Sequence, residues 1–330
     1  MLESSGSFLG ILEGDLLVPS DIDEALERWD VEAVVHMAAS SQVAESVRNP
    51  GKYYRNNVIG TMNLLDSMRS HSVDKMVFSS TAAVYGEPVR TPIDESHPQN
   101  PVNPYGTTKL DVEHMMDDYS LAYGIRSVRL RYFNVVGADS LCRIGEAHDP
   151  ETHLIPNILG SLIDGREFRL FGTDYDTRDG TCVRDYVNVE DLADAHVLAL
   201  KYLENGGKTD YFNIGTNEGS TVREVISACE RAVGKSISLK TEDRRPGDPA
   251  VLVADNTKAK RILGWEPRRA LDHSIRTAYA WERKKRGLRS LLVHERGYAA
   301  VVSVVLVGCH PFFDGFFRNE AFFERLDFGA

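Results

Sequence analysis

Tyr105 and Lys109, in the stretch "PVNPYGTTKLDVEH" (101–114), are the two residues of this 330-residue chain best placed to move a proton together. A spacing of i and i+4 sets both on one helix face. An ammonium beside a phenol stabilises the phenolate, lowering a pKa that is about 10 unperturbed. Such a phenol takes a proton from an alcohol as hydride leaves the same carbon. Pro104 suits the first turn of the helix. Spacing alone decides nothing: with 13 Tyr and 38 Lys+Arg, chance gives about 1.5 Tyr-x-x-x-(Lys/Arg) matches, and there are two. The other is Tyr279/Arg283, and a half-buried tyrosine beside a solvated lysine would explain either. What separates the first pair is "KMVFSSTAAVYGEP" (75–88), an apolar run closed by a Ser/Thr cluster. The carboxyl end of a parallel strand faces the ligand crevice, so Thr81 is positioned to hydrogen-bond the same hydroxyl.

The elements that must hold these residues alternate. "AVVHMAA" (33–39) reads as a buried strand, helical periodicity begins near Tyr53, and "DKMVFSS" (74–80) is a second strand. A Pro/Gly-rich loop, a helix near Tyr105 and the strand "RSVRLRYFNVVG" (126–137) follow. Apolar strands separated by helices of ten or more residues predict an α/β fold with a doubly wound parallel sheet. Beyond Gly137 polar loops such as "GTDYDTRDGTCVRD" predict a smaller region over the substrate. The division expected is 1–137, a partial dinucleotide-binding domain; 138–287, a substrate region interleaved with it; and 288–330, an atypical tail. A doubly wound nucleotide domain opens with a strand, a Gly-rich turn and a helix N-terminus that holds pyrophosphate. This chain begins at what looks like the third strand, and neither G-x-x-G-x-x-G nor G-x-G-x-x-G occurs near its start. The tail segment "HPFFDGFFRNEAFFERLDF" holds seven of the 13 Phe and matches no element.

Bulk properties narrow the function. A net charge of −11 and a pI near 5.4 disfavour a phosphate-backbone partner, so no nucleic acid is expected. Cys142, Cys182, Cys229 and Cys309 lie far apart with no Cys-x-x-Cys, which suits reduced thiols and a cytoplasmic location. The start lacks a secretory signal, and "AAVVSVVLVGC" (299–309) is too short to span a bilayer; a buried strand is the better reading. His36, His148, His153 and His196 show no metal-ligand spacing and the acids near them look scattered, so no metal is expected. "DLADAHVLALKYL" is apolar at i, i+3, i+4 and i+7, making Leu192, Ala195, Leu198 and Ala199 core residues.

Taken together, "HMAASSQVAESVRNPGKYYRNNVIGTMNLL", "FSSTAAVYGEP", "NPYGTTKLDVEHMM", "LRYFNVVGAD", "RIGEAHDPETHLIP", "DGTCVRDYVNVEDLADAHVLAL" and "RRPGDPAVLVADNTKAKRILGWEP" resemble the extended short-chain dehydrogenase/reductase family. The resemblance is to its branch that epimerises UDP-sugars at C4, with the blocks in family order from about Glu13 to Arg283. It implies a Rossmann-like fold with NAD as cofactor. It makes Tyr105 the acid/base at the sugar 4-hydroxyl, Lys109 its tuning partner and nicotinamide-ribose contact, and Thr81 the hydroxyl partner. Asp15 and Leu16 match the pair at the adenine. Met37, Ala38, Ala39, Ser40 and Ser41 match the segment passing pyrophosphate and ribose, with Asn57 and Phe133 as further cofactor neighbours. For the UDP-sugar it implies Thr81, Tyr105, Asn134, His153, Leu154, Arg169, Leu170, Phe171, Arg184, Arg245 and Asp248. Guanidinium groups suit a diphosphate on chemical grounds as well.

The cycle implied is NAD-dependent interconversion of UDP-glucose and UDP-galactose, with hydride leaving C4 and returning to its other face. A 4,6-dehydratase on the same fold places an acidic pair after the Thr; Ala82 and Ala83 stand there. A UDP-pentose 4-epimerase stays open, and Leu252, where side-chain size is thought to govern N-acetylated sugars, settles nothing. The alternative from another class is a non-catalytic nucleotide-sugar-binding fragment, since without a Gly-rich turn weak NAD binding is expected of this form. The resemblance also implies a homodimer through helices that include the one bearing Tyr105.

Overall fold

The computed structural model describes residues 10–245, 248–291 and 304–308. Helix α1 (Pro19–Arg28) leads into strand β1 (Val31–His36). Helices α2 (Val43–Arg48) and α3 (Pro50–Tyr53), a wide π-helical turn (Tyr54–Ile59) and α4 (Gly60–Ser70) return the chain to β2 (Lys75–Thr81). Helix α5 (Pro104–Tyr123) then connects to β3 (Arg126–Tyr132), and β4 (Asn134–Val136) follows at once. Next come α6 (Leu154–Asp164), β5 (Phe168–Phe171), β6 (Val183–Asn188), α7 (Val189–Glu204) and β7 (Asp210–Ile214). The rest are β8 (Gly219–Thr221), α8 (Val222–Val233), β9 (Leu239–Glu242), β10 (Val251–Leu252), α9 (Thr257–Leu263), α10 (Leu271–Leu291) and β11 (Val304–Gly308).

The principal sheet runs in the order β11-β1-β2-β3-β7. Strands β1, β2, β3 and β7 are parallel, as continuous apolar runs require when both faces are covered. On one face Ala33, Val35, Val77 and Leu130 pack against Leu192, Ala195 and Ala199 of α7 and Ala259 and Leu263 of α9. On the other, Val34, Met76 and Phe78 meet Ile22 and Leu26 of α1, Leu64, Leu65 and Met68 of α4, and Val112 and Met116 of α5. Leu198 packs at the rim of the first cluster. Alternate residues of each strand therefore feed opposite helix layers. A second sheet, β10-β6-β4 with β8 antiparallel on β6, and the pair β5–β9 form the smaller region. Its core gathers Ile155, Ile158 and Leu159 of α6, Val225 and Ile226 of α8 and Ile275 of α10.

One expectation needs correction and another is met in part. The single strand at 126–137 is two: Tyr132 still pairs with Ile214, Phe133 N donates to Ile214 O at 3.1 Å, and the chain then crosses to pair Asn134 with Tyr186 in the other sheet. Every residue of the segment is at least half-buried, so its pattern carries no mark of the switch. The run at 299–309 does contain a strand, but β11 lies antiparallel on the outer edge of β1, with His36 opposite Val304 and Val31 opposite Gly308. The Phe-rich segment at 310–328 lies outside the described residues, as does Cys309. Among the described residues no helix is long and apolar enough to cross a membrane.

Candidate active site

Helix α5 carries Tyr105 and Lys109, and its first turn is fixed tightly. Asn103 caps it, accepting from Gly106 N at 2.9 Å, and Pro104 occupies the first helical position. Gly106 lies so close to the turn after β2 that a Cβ there would meet Ala83 O at 2.6 Å. Tyr105, 2% exposed, is thereby held beside the carboxyl end of β2, where Thr81 is equally buried and accepts from Ala83 N at 3.1 Å. One turn on, Lys109 is enclosed: its Nζ donates to Ser79 O at 2.8 Å and lies 4.6 Å from the Phe78 ring centroid. Burial pulls the Lys109 ammonium down to about 7, against a smaller opposing pull from the Glu113 carboxylate. His36, at the end of β1, is held neutral with a pKa of about 3 by burial and then by Lys109. Its Nε2 meets Thr61 Oγ1 at 2.8 Å while its Nδ1 has no hydrogen-bond partner.

Sequence reasoning did not single out Glu113, although it continues the Tyr105–Lys109 stripe by another i+4 step. Its carboxylate takes both Arg131 Nε contacts, at 2.9 and 3.1 Å, and accepts from Ser80 Oγ at 2.5 Å. Arg131 also donates to Tyr85 Oη, which donates to Asn213 Oδ1 at 2.6 Å. This buried chain of charge-assisted bonds ties α5 to β2, β3 and β7.

The expected dinucleotide residues line the same strand ends. Met37, Ala38, Ala39, Ser40 and Ser41 leave β1, with Ala38 and Ser41 buried. Asn57 faces inward from the π-helical turn; it accepts from Ser40 N at 2.8 Å, donates to Ser40 O at 3.0 Å and reaches Thr108 Oγ1 on α5. Its side chain fixes the path of that segment. Asp15 is exposed and accepts from Leu17 N, whereas Leu16 is buried against Gly60 of α4. Phe133 is buried with Val84 and Leu110.

The residues expected to meet a sugar nucleotide fall into two groups. Arg184, Arg245, Asp248 and Phe171 come together: Arg245 Nε donates to Asp248 Oδ2 at 3.0 Å, Arg184 lies 3.7 Å from Asp248 Oδ1, and the Arg245 guanidinium sits 5.1 Å from the Phe171 centroid. On β5, Arg169 is exposed but the Leu170 side chain is 1% exposed and points into the core. Asn134 opens β4, His153 precedes the first turn of α6, and Leu154 begins it. Around His153 the reading of scattered acids fails. The loop before α6 folds back so that Glu146 Oε1 accepts from His148 Nδ1 at 3.0 Å and also contacts His153 Nδ1, with Glu151 alongside. Burial disfavours the His153 imidazolium, but the Glu146 carboxylate outweighs it and raises the pKa.

A helix-flanked parallel sheet with a buried Thr–Tyr–Lys set at its strand ends defines the short-chain dehydrogenase/reductase class. Comparison with known proteins narrows this. The family model described as GDP-mannose 4,6 dehydratase matches residues 3–278. The UDP-glucose 4-epimerase of Rhizobium meliloti is 49% identical over 278 residues, 84% of this chain and 85% of that one. The crystal structure of the Brucella ovis UDP-glucose 4-epimerase in complex with NAD superposes with a TM-score of 0.80 at 46% identity, covering 83% of this chain and 86% of that one. The Bifidobacterium longum enzyme in complex with NAD+ and UDP gives 0.78 at 38% identity, covering 83% and 82%. The chain belongs to the UDP-glucose 4-epimerase family, whose members are isomerases.

Proposed function

We propose that this chain interconverts UDP-glucose and UDP-galactose by reversible oxidation at C4, with NAD as its cofactor. The observation that carries the reading is the enclosed Tyr105–Lys109 pair locked to the end of β2 beside Thr81. The donor set fits a dinucleotide at its nicotinamide-ribose end: among the described residues the Lys109 ammonium, with three donors, meets one hydrogen-bond acceptor, Ser79 O. Its remaining N–H groups suit ribose hydroxyls and the Tyr105 phenol. NAD+, when bound, supplies the acceptor and later the donor of the C4 hydride. Tyr105 removes the proton of the 4-hydroxyl and returns it after the sugar has presented its other face. Lys109 favours the phenolate, and Thr81 orients the hydroxyl.

Residues 37–41, Asp15, Leu16, Asn57 and Phe133 line the cofactor, with 1–137 contributing most of its domain. Asn134, with His153 and Leu154, β5 and the Arg184–Arg245–Asp248 group from 138–287, takes the UDP moiety, the guanidiniums meeting the diphosphate. The free thiols Cys142, Cys182 and Cys229 suit a cytoplasmic enzyme. Leu121, 88% exposed, and Tyr123 on the last turn of α5 suit a homodimer contact. The test is conversion of UDP-galactose to UDP-glucose with saturating NAD+. Tyr105→Phe should lower kcat by about 10²- to 10⁴-fold while leaving UDP affinity unchanged. No turnover by the parent chain, or full turnover by Tyr105→Phe, overturns the reading.

A further inference from the structure

We infer that Glu146, His148, Glu151 and His153 form a binding site for a divalent cation of the zinc class. One potential ligand atom from each of the four lies within 4.8 Å of the others. His148 Nδ1 stands 3.0 Å from Glu146 Oε1, His153 Nδ1 converges on that same oxygen, and Glu151 oxygens lie 4.0 and 3.9 Å from the two imidazole nitrogens. Tetrahedral zinc with nitrogen and oxygen ligands holds its donors about 3.3 Å apart. These separations straddle that value. The two imidazole rings meet edge to face, centroids 4.7 Å apart, and both Nδ1 atoms converge on Glu146 Oε1. Glu151 Oε2 is buried there without a hydrogen-bond partner. Two imidazoles with two carboxylates select zinc-like ions over magnesium or calcium, which take oxygen alone.

The supporting shell is already in place. Trp281 Nε1 on α10 donates to Glu146 O at 2.7 Å, and Gly145 lies flat on the same indole, where a Cβ would come within 2.5 Å. Asn157 Nδ2 holds His153 O at 2.8 Å, and His153 N donates to Glu151 Oε1 at 2.9 Å. Such outer contacts orient ligands before the metal arrives. Lys285 is paired with Glu282 and donates to the backbone oxygen of Glu146 at 3.4 Å. Binding exchanges the Nδ1 protons for the metal.

The experiment uses the full chain stripped with a chelator, then dialysed against Zn2+ and, separately, Co2+, with bound metal quantified. One equivalent per chain is expected, together with the intense visible bands of four-coordinate Co2+ and no thiolate-to-metal charge transfer. Glu146→Gln and His148→Asn should each weaken binding at least tenfold while circular dichroism and melting stay those of the parent. Binding below one equivalent, a weak six-coordinate Co2+ spectrum, a thiolate band, or unchanged affinity in both variants overturns the site. Should a variant fold poorly, the Co2+ spectrum of the parent chain decides alone.

Discussion

At the scale of single residues, Lys109 is enclosed with a charge it would hold freely in water. A buried ammonium with a pKa near 7 stays protonated in the unfolded chain until about pH 10.4. Between those values the unfolded state binds the extra proton, so this residue's contribution to stability rises with pH. Below pH 7 the full cost of enclosing the charge is present. Denaturation of the ligand-free chain and of Lys109→Met, compared from pH 6 to 10, should show the parent gaining a few kcal/mol relative to the variant as pH rises. A pH-independent difference would mean that Lys109 is not enclosed as described. The types Tyr105, Lys109 and Thr81 were legible because acid/base chemistry needs them at helix and strand-end positions. The partners Ser79 O and His36 were not, since a backbone acceptor leaves no mark in a sequence and a buried histidine looks like any other.

At the scale of elements, the relation of α5 to β2 sets the site. Gly106→Ala would drive a methyl group against Ala83 O, shifting Tyr105 relative to Thr81. We expect kcat to fall at least tenfold with KM for the UDP-sugar little changed, read by steady-state kinetics. Deeper in the same interface, Arg131→Met would strand the buried Glu113 carboxylate, and removing one partner of such a pair costs about 3–5 kcal/mol. Urea denaturation checks this; a loss below about 1 kcal/mol would show that water replaces the guanidinium. The start of α5 was readable from Pro104, whereas the Asn103 cap and the close approach of Gly106 came only with the structure. The broken helix at 50–70 was not, because the π-helical turn that points Asn57 at Ser40 keeps the helical pattern around it. The convergence of Glu146, His148, Glu151 and His153 was hidden for a related reason: spacings of two and three in a loop follow no period.

At the scale of the whole molecule, the parallel sheet was legible from its apolar runs, but the order of its outer edge was not, because β11 comes from the far end of the chain. A chain ended at residue 303 lacks β11 and leaves the outer N–H and C=O groups of β1 without that partner, a template for self-pairing. Light scattering at micromolar concentration should rise, and melting should come earlier. Unchanged scattering and melting would show that the pairing contributes little. The same register has a temporal meaning during synthesis. When Val31–His36 has just been synthesised, its partner strand is still some 270 residues from being made, tens of seconds at ordinary elongation rates. The β1–β11 pairing is therefore a very long-range contact that can close only after residues 304–308 are made, a late step in folding.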